Sequence, residues 1–392
     1  MIGVAIIGAG QAGLQAAVSL RQGGYSGSIA LFGDEPQAPY QRPPLSKKFL
    51  SGEIGAERLE LRPQQFFTEN NITLHLGTSV ASLDVSASEI TTNDGKTHAF
   101  EHAILATGTR PRALNIPGAD LEGVLTLRSI ADVDRLRPSI AEGKKAVIVG
   151  GGYIGLEVAA VAKSLGLDVT VIETFDRVLQ RVVSPDMSDF FAKTHALRGV
   201  KINAGEAVTR ISLNHGSRVV ETNLNTEYPA DIILIAVGAV PNTELAEAAG
   251  LEVKNGIVVD ENAKTSAENI FAAGDCTSFY SRLYDRHLRL ESVQNAIDQA
   301  KIAALSILGT AETYDPVPWF WSDQYDIKLQ IAGLSDGYDQ ADLRGDPDTN
   351  AFGIVYGKDG TLIAVDTVNQ PRGHMLARRA IGKPLADFDW HP

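Results

Sequence analysis

At 392 residues the chain exceeds one ordinary core, and a norm of about 150 residues per domain predicts two or three domains. Its 44% hydrophobic and 21% charged residues are those of a globular protein, and no apolar run approaches the ~20 residues of a membrane span, which excludes a spanning helix. The formal charge of −13 opposes nucleic acid and anionic membranes as general partners, and a single cysteine excludes an intramolecular disulfide, a C-x-x-C redox pair and a cysteine-rich metal site.

The opening MIGVAII has no basic leader, so no signal peptide is expected and the chain reads as cytoplasmic. Residues 4–7 form an apolar run that predicts a buried strand, and Gly8, Gly10 and Gly13 follow as G-x-G-x-x-G where a helix would begin. Gly8 permits the tight turn, Gly10 lets a pyrophosphate approach the backbone, and Gly13 lets the helix lie close on the strand. Phosphates would then meet the helix N-terminus. Residues 28–35 predict a second strand ending in acid, with Asp34 21 residues after Gly13, where a ribose hydroxyl is bound, and Glu35 beside it.

Three prolines stiffen the loop 38–53, a short helix is expected near Leu45, and Arg42 and Lys47 are placed to bring cations to a cofactor. Residues 72–100 predict a strand and a hairpin turning at Asn93, Asp94 and Gly95. Residues 103–106 are another apolar strand, after which Ala106, Thr107 and Gly108 let the backbone turn close to a ligand. A helix is expected over 125–137, with Asp132 and Asp134 early and Arg135 and Arg137 late, as its dipole favours.

Residues 145–155 then repeat the opening, with Gly150, Gly152 and Gly155 spaced as before and Tyr153 and Ile154 between them. A helix to about Leu165 and a strand over 168–173 follow, and Glu173 lies 18 residues after Gly155. Two complete matches imply two dinucleotide sites. A carboxylate at Glu173 accepts from the free 2′-hydroxyl of NADH and repels the 2′-phosphate of NADPH, so NADH is the expected donor. Residues 231–241 read as a strand carrying Gly238, and residues 269–276 repeat strand, glycine and acid, ending in Asp275 and Cys276. Residues 292–308 predict an amphipathic helix with Val293, Ala296, Ile297, Ala300 and Ala304 on its apolar face. From about Pro316 the chain is strand-rich, with a closing helix over 372–381. Trp319 and Trp321 flank Phe320 and suggest a rigid wall over a cofactor or at an exposed surface, and Cys276 reads as a small buried hydrophobe.

Together GAGQAG, GDE at 33–35, RPPLSK at 42–47, ATGTRPR at 106–112, GGGYIGLE at 150–157, AAGDC at 272–276, ESVQNA at 291–296 and PWFWSDQYD at 318–326 resemble the FAD-dependent ferredoxin reductases that serve bacterial Rieske oxygenases and cytochromes P450. The resemblance runs nearly the whole chain. It implies an α/β fold: two Rossmann-like dinucleotide-binding domains, for FAD and NAD, and a C-terminal α+β domain, glutathione-reductase-like without the redox disulfide. The expected boundaries are 1–113 with 239–315 for FAD, 114–238 for NAD and 316–392 for the C-terminal domain.

The resemblance implies FAD contacts at Ala12, Asp34, Lys47, Val80, Arg128, Asp275 and Val293, and a nicotinamide dinucleotide on 152–155, Glu157, Glu173 and Gly238. Lys47, paired with Glu157, would set the charge where hydride passes, with Trp321 nearby, and no metal is implied. The partner implied is a [2Fe–2S] ferredoxin, which the −13 chain must attract through a local basic surface. The candidates are Lys301, Arg372, Arg378, Arg379 and Lys383. Two departures stand out: Gln41 replaces the Asp common in Y-D-R-P-P, and the chain ends soon after Trp390. The competing readings are a rubredoxin reductase or NADH oxidase of the same fold, or a binding flavoprotein like the apoptosis-inducing factors.

Overall fold

Val4, Ala5 and Ile6 are fully buried because their strand, Ile2–Ile7, has a parallel neighbour on each side, Ile29–Phe32 and Thr97–Leu105. A parallel strand buried on both faces reads as an uninterrupted apolar run. The computed structural model describes residues 1–214, 216–310 and 312–392, in two compact units. The first comprises Met1–Gln41, Leu59–Arg110 and Val240–Pro318.

Its main sheet continues outward from Ile29–Phe32 to Ile72–His75. On the other side, the nine residues of Thr97–Leu105 serve two neighbours: their start pairs antiparallel with Glu89–Thr92 and their end parallel with Ile270–Ala272. Helices Gln11–Gln22 and Val293–Ile307 pack together, and the small side chains of Ala16, Ala17, Ala300, Ala303 and Ala304 in this core permit a close approach.

The second unit comprises Arg42–Arg58, Pro111–Ala239 and Trp319–Pro392. Its parallel sheet runs Lys201–Ala204, Asp168–Glu173, Lys145–Val149, Ile232–Ile235, Val124–Leu125. A three-stranded antiparallel sheet, Val208–Asn214, Ser217–Thr222 and Glu227–Ala230, accompanies it. The C-terminal sheet is antiparallel, in the order Trp319–Gln324, Ile327–Gly333, Thr361–Val368, Ala351–Lys358, Gln340–Asp346. Pro371–Ala380 closes the chain as a helix. No helix among the described residues is long and apolar enough to cross a membrane.

Several expectations are corrected. The helix expected over 125–137 is only Ile130–Leu136, because Val124–Leu125 joins the parallel sheet and Ser129 caps the helix in a reciprocal box with Asp132. The short helix near Leu45 is a 3-10 turn, Pro43–Ser46, beginning on two prolines that lack the N–H an α-helix interior needs. The strand over 231–241 is broken into Ile232–Ile235 and Ala239–Pro241 at Gly238, whose φ is +107°.

In helix Val293–Ile307 the expected Ala296, Ala300 and Ala304 are buried, but Val293 and Ile297 are only half-buried and the buried face also takes in Asn295 and Gln299. Both amide oxygens are satisfied, while Gln299 Nε2 has no partner among the described residues. Tyr314 Oη donates to Asn295 Oδ1 at 2.6 Å, and Gln299 Oε1 accepts from Gly274 N–H at 2.8 Å and Thr277 Oγ1 at 2.7 Å.

Candidate active site

The two glycine turns have the same stereochemistry. In the first unit a Cβ on Gly8 would meet Ala106 O at 2.0 Å and one on Gly13 would meet Gly8 O at 1.9 Å, while Gly10 faces open space. In the second unit a Cβ on Gly150 would meet Ala236 O at 2.4 Å and one on Gly155 would meet Gly150 O at 2.0 Å, while Gly152 faces open space. Helices Gln11–Gln22 and Tyr153–Ser164 start at Gly10 and Gly152 with no side-chain cap and no acid in the first turn. Their leading N–H groups are left for an anion. Each cradle therefore fits a dinucleotide pyrophosphate.

The carboxylates beyond the turns differ. Gly8 N–H donates to Phe32 O and Gly150 N–H to Ile172 O, both at 2.8 Å, so Gly33 and Glu173 occupy matching strand ends. Buried Glu173 accepts from Gly151 N–H at 2.6 Å and Phe175 N–H at 2.9 Å, which ties its carboxylate to the glycine turn. In the first unit Asp34 comes one residue later and is exposed, and Glu35 accepts from Tyr40 Oη at 2.5 Å.

Among the other residues expected on the FAD side, Ala12 lies in the buried first turn of its helix, Val80 opens the strand Val80–Asp84, and Val293 opens the helix capped by Ser292. Thr107 Oγ1 donates to Asn242 O at 2.7 Å, Asn242 Nδ2 donates back to Thr107 O at 2.8 Å, and Gly108 takes φ +65°. That brace holds the 106–108 turn. Asp275 follows Gly274 and accepts from Thr109 Oγ1 at 3.3 Å. Arg42, Lys47, Arg128 and Trp321 belong to the second unit, where Arg42 Nη1 donates to Arg128 O at 2.7 Å.

In that unit Lys47 Nζ donates to Glu157 Oε2 at 2.6 Å, the pairing expected from the sequence. Two further donors were not anticipated. Ser46 Oγ donates to Glu157 Oε2 at 2.5 Å and Ser322 Oγ to Oε1 at 2.6 Å. Glu157 is buried, so three donors, one of them charged, are what keep a carboxylate tenable there. Ser46 stands beside Lys47 in the sequence, and Ser322 alternates with Trp321 along its strand. Period-two alternation was the signal for the second; nothing marked the first.

Pleating divides PWFWSDQ. Phe320, Ser322 and Gln324 share one face, where the Phe320 ring packs tilted against Tyr153 with centroids 4.6 Å apart; Trp319 and Trp321 share the other, 5.7 Å apart. On that side Trp319 meets His374 at 5.7 Å, and the Arg378 guanidinium lies 4.6 Å over its ring. Arg372, Arg378, Arg379 and Lys383 are exposed in the second unit, whereas Lys301 is in the first and pairs with Asp298 at 3.4 Å. Ile154 is exposed at the head of its helix. Cys276 is buried, which pushes its thiol up and away from the reactive thiolate. Among the described residues no His, Cys, Asp and Glu cluster could hold a metal.

On the Phe320 face Asp366 is fully buried; Tyr356 Oη donates to its Oδ2 at 2.7 Å and Oδ1 has no partner among the described residues. Burial pushes this carboxyl up to about 7, against the pull of the Tyr356 bond. The folded chain thus holds a proton that the unfolded chain has lost, from the ordinary carboxylate range up to about 7, and stability falls as pH rises through that window. Asp366→Asn is expected to raise Tm more at pH 8 than at pH 5, the difference being worth at most roughly 3 kcal/mol. Thermal melts at the two pH values check this, and an equal shift at both contradicts it.

Two anion cradles on parallel sheets, a Lys–Glu pair with a buried carboxylate and no second thiol define a two-nucleotide oxidoreductase. Residues 3–300 match the pyridine nucleotide-disulphide oxidoreductase family and residues 319–387 the reductase C-terminal family. Rhodocoxin reductase of Rhodococcus erythropolis is 46% identical over 97% of this chain and 90% of its own, and a rubredoxin-NAD(+) reductase of Ectopseudomonas oleovorans is 41% identical over 94% and 96%. The crystal structure of the covalent putidaredoxin reductase–putidaredoxin complex superposes with a TM-score of 0.93 at 38% identity, covering 97% of this chain and 94% of that one. The chain belongs to the pyridine nucleotide-disulphide oxidoreductase family, and its cofactors are FAD and NAD(P)H. The glutathione-reductase-like fold without a redox disulfide, expected from the sequence, is therefore the fold it has.

Proposed function

We propose that the chain takes a hydride from NADH onto FAD and passes electrons singly to a [2Fe–2S] ferredoxin that feeds an oxygenase. The observation that carries this reading is Glu157, which gathers Lys47, Ser46 and Ser322 in the second turn of the helix that begins at the second glycine cradle. Bound FAD supplies the two-electron to one-electron conversion that a nicotinamide and an iron–sulfur protein cannot make directly.

FAD is assigned to Gly8, Gly10, Ala12, Gly13, Asp34, Glu35, Arg42, Lys47, Val80, Ala106, Thr107, Gly108, Arg128, Asp275, Val293 and Trp321. NADH is assigned to Gly150, Gly152, Tyr153, Ile154, Gly155, Glu157, Glu173 and Gly238. Glu157 fixes the Lys47 ammonium, which also donates to Pro43 O at 3.2 Å and so keeps one N–H for a bound group. The three-domain division at 1–113 with 239–315, 114–238 and 316–392 and a cytoplasmic location belong to the same proposal, the latter supported by the single cysteine.

Ferredoxin docking is assigned to Lys301, Arg372, Arg378, Arg379 and Lys383. Lys301→Glu with Arg379→Glu is expected to raise the KM for ferredoxin about tenfold and flatten its salt dependence. NADH-dependent reduction of ferricyanide, which needs no docking, stays at the parent rate. Assaying candidate ferredoxins with the purified holoenzyme tests the function, and a protein that reduces rubredoxin but no ferredoxin establishes the alternative that the 41% identical relative favours.

A further inference from the structure

From Ser322 two side chains with no assigned role, Gln324 and His195, continue the Glu157 cluster inward. Ser322, Gln324 and His195 are each fully buried, the first two on one face of Trp319–Gln324 and the third in the last turn of helix Pro185–Leu197. Ser322 Oγ lies 2.6 Å from Glu157 Oε1, Gln324 Nε2 lies 3.2 Å from Ser322 Oγ, and His195 Nε2 lies 2.9 Å from Gln324 Oε1. Tyr325 Oη stands 3.4 Å from His195 Nδ1. We infer that His195 is a positioning residue for the hydride step, acting through Gln324 and Ser322 to aim the Ser322 hydroxyl at Glu157.

The direction of every bond follows from the carboxylate at one end. An ionised Glu157 only accepts, so Ser322 spends its one proton there and must accept from the Gln324 amide. The Gln324 carbonyl then faces His195, which must carry its proton on Nε2 and leave Nδ1 to accept from Tyr325. A neutral imidazole has one donor and one acceptor and satisfies both demands. Burial, the largest influence, lowers the His195 pKa and Arg198 lowers it further, while the Gln324 bond opposes them. Aligned dipoles in a buried chain reinforce one another, so each donor firms the one nearer Glu157.

The inference rests on the proposed role of Glu157, and the experiment separates the two. In the 15N-histidine-labelled holoenzyme, long-range 1H–15N NMR is expected to find His195 as the Nε2–H tautomer, assigned by its loss in His195→Gln; the Nδ1–H tautomer overturns the relay. In stopped flow His195→Leu, which lacks the donor, is expected to slow flavin reduction about tenfold while the NADH Kd stays within twofold. His195→Gln, whose amide N–H can stand where Nε2–H stood, restores most of the rate. Ser322→Ala gives the same slowing without a core histidine being touched, and adds little to His195→Leu. If Glu157→Gln slows reduction while His195→Leu and Ser322→Ala do not, the relay is wrong and the role of Glu157 stands. If Glu157→Gln has no effect, that role fails first.

Discussion

Glu157→Ala is expected to slow reduction of bound FAD by NADH on the order of 100-fold, with a smaller change in the Kd for NADH. The side chain is buried and is the common acceptor for Lys47 Nζ, Ser46 Oγ and Ser322 Oγ. Removing it strands three donors in a site with little water, at a cost of about 1–3 kcal/mol for each buried group left unmade. Among the described residues the ammonium of Lys47 then keeps Pro43 O at 3.2 Å, and the charge it should present to the reacting rings is no longer in a set position. Interactions that matter only while hydride passes appear in the rate rather than in binding. Anaerobic stopped-flow spectroscopy of flavin bleaching checks the outcome, with Glu157→Gln as the variant that preserves volume. A reductive rate within twofold of the parent makes Lys47–Glu157 an ordinary structural ion pair.

The second large effect concerns which nicotinamide is used. The parent is expected to favour NADH over NADPH by on the order of 100-fold in kcat/KM, ~3 kcal/mol of differential transition-state binding, and Glu173→Arg is expected to shrink or invert the ratio. The structure adds a cost that spacing alone does not reveal. Because Glu173 also accepts from the N–H groups of Gly151 and Phe175, the arginine variant loses the tie that holds the phosphate turn. Its kcat/KM for NADH should therefore fall further than the loss of one ribose bond requires. Glu173→Gln, which keeps an acceptor without the charge, should relax the discrimination and lose less rate. Initial-rate measurements with both nucleotides decide it, and equal use of the two by the parent protein refutes the assignment of Glu173.

What was legible in the sequence was whatever the local chain dictates. Each glycine turn is spelled in one short stretch, and Gly13 is glycine because of the turn itself, its Cβ meeting Gly8 O at 1.9 Å, whereas Gly8 is held to glycine by Ala106 O at 2.0 Å, far along the chain. The edge strand Gln340–Asp346 escaped notice because its polar side chains, which suit an open sheet edge, carry no apolar alternation. The buried side of helix Val293–Ile307 includes the expected Ala296, Ala300 and Ala304 but extends further for a related reason: Asn295 and Gln299 look like solvent-facing residues until their partners Tyr314, Gly274 and Thr277 are known.

The sequence alone determined the two dinucleotide cradles, the family resemblance and the Lys47–Glu157 pairing. Only the tertiary structure decided what surrounds that pair, since Ser46 and Ser322 lie 111 and 165 residues from Glu157 along the chain. It also assigned the loop Arg42–Arg58 to the second unit. A backbone turn is specified by neighbours in sequence, whereas a buried carboxylate must be satisfied by whichever donors folding brings within about 3 Å, and no spacing rule names them in advance.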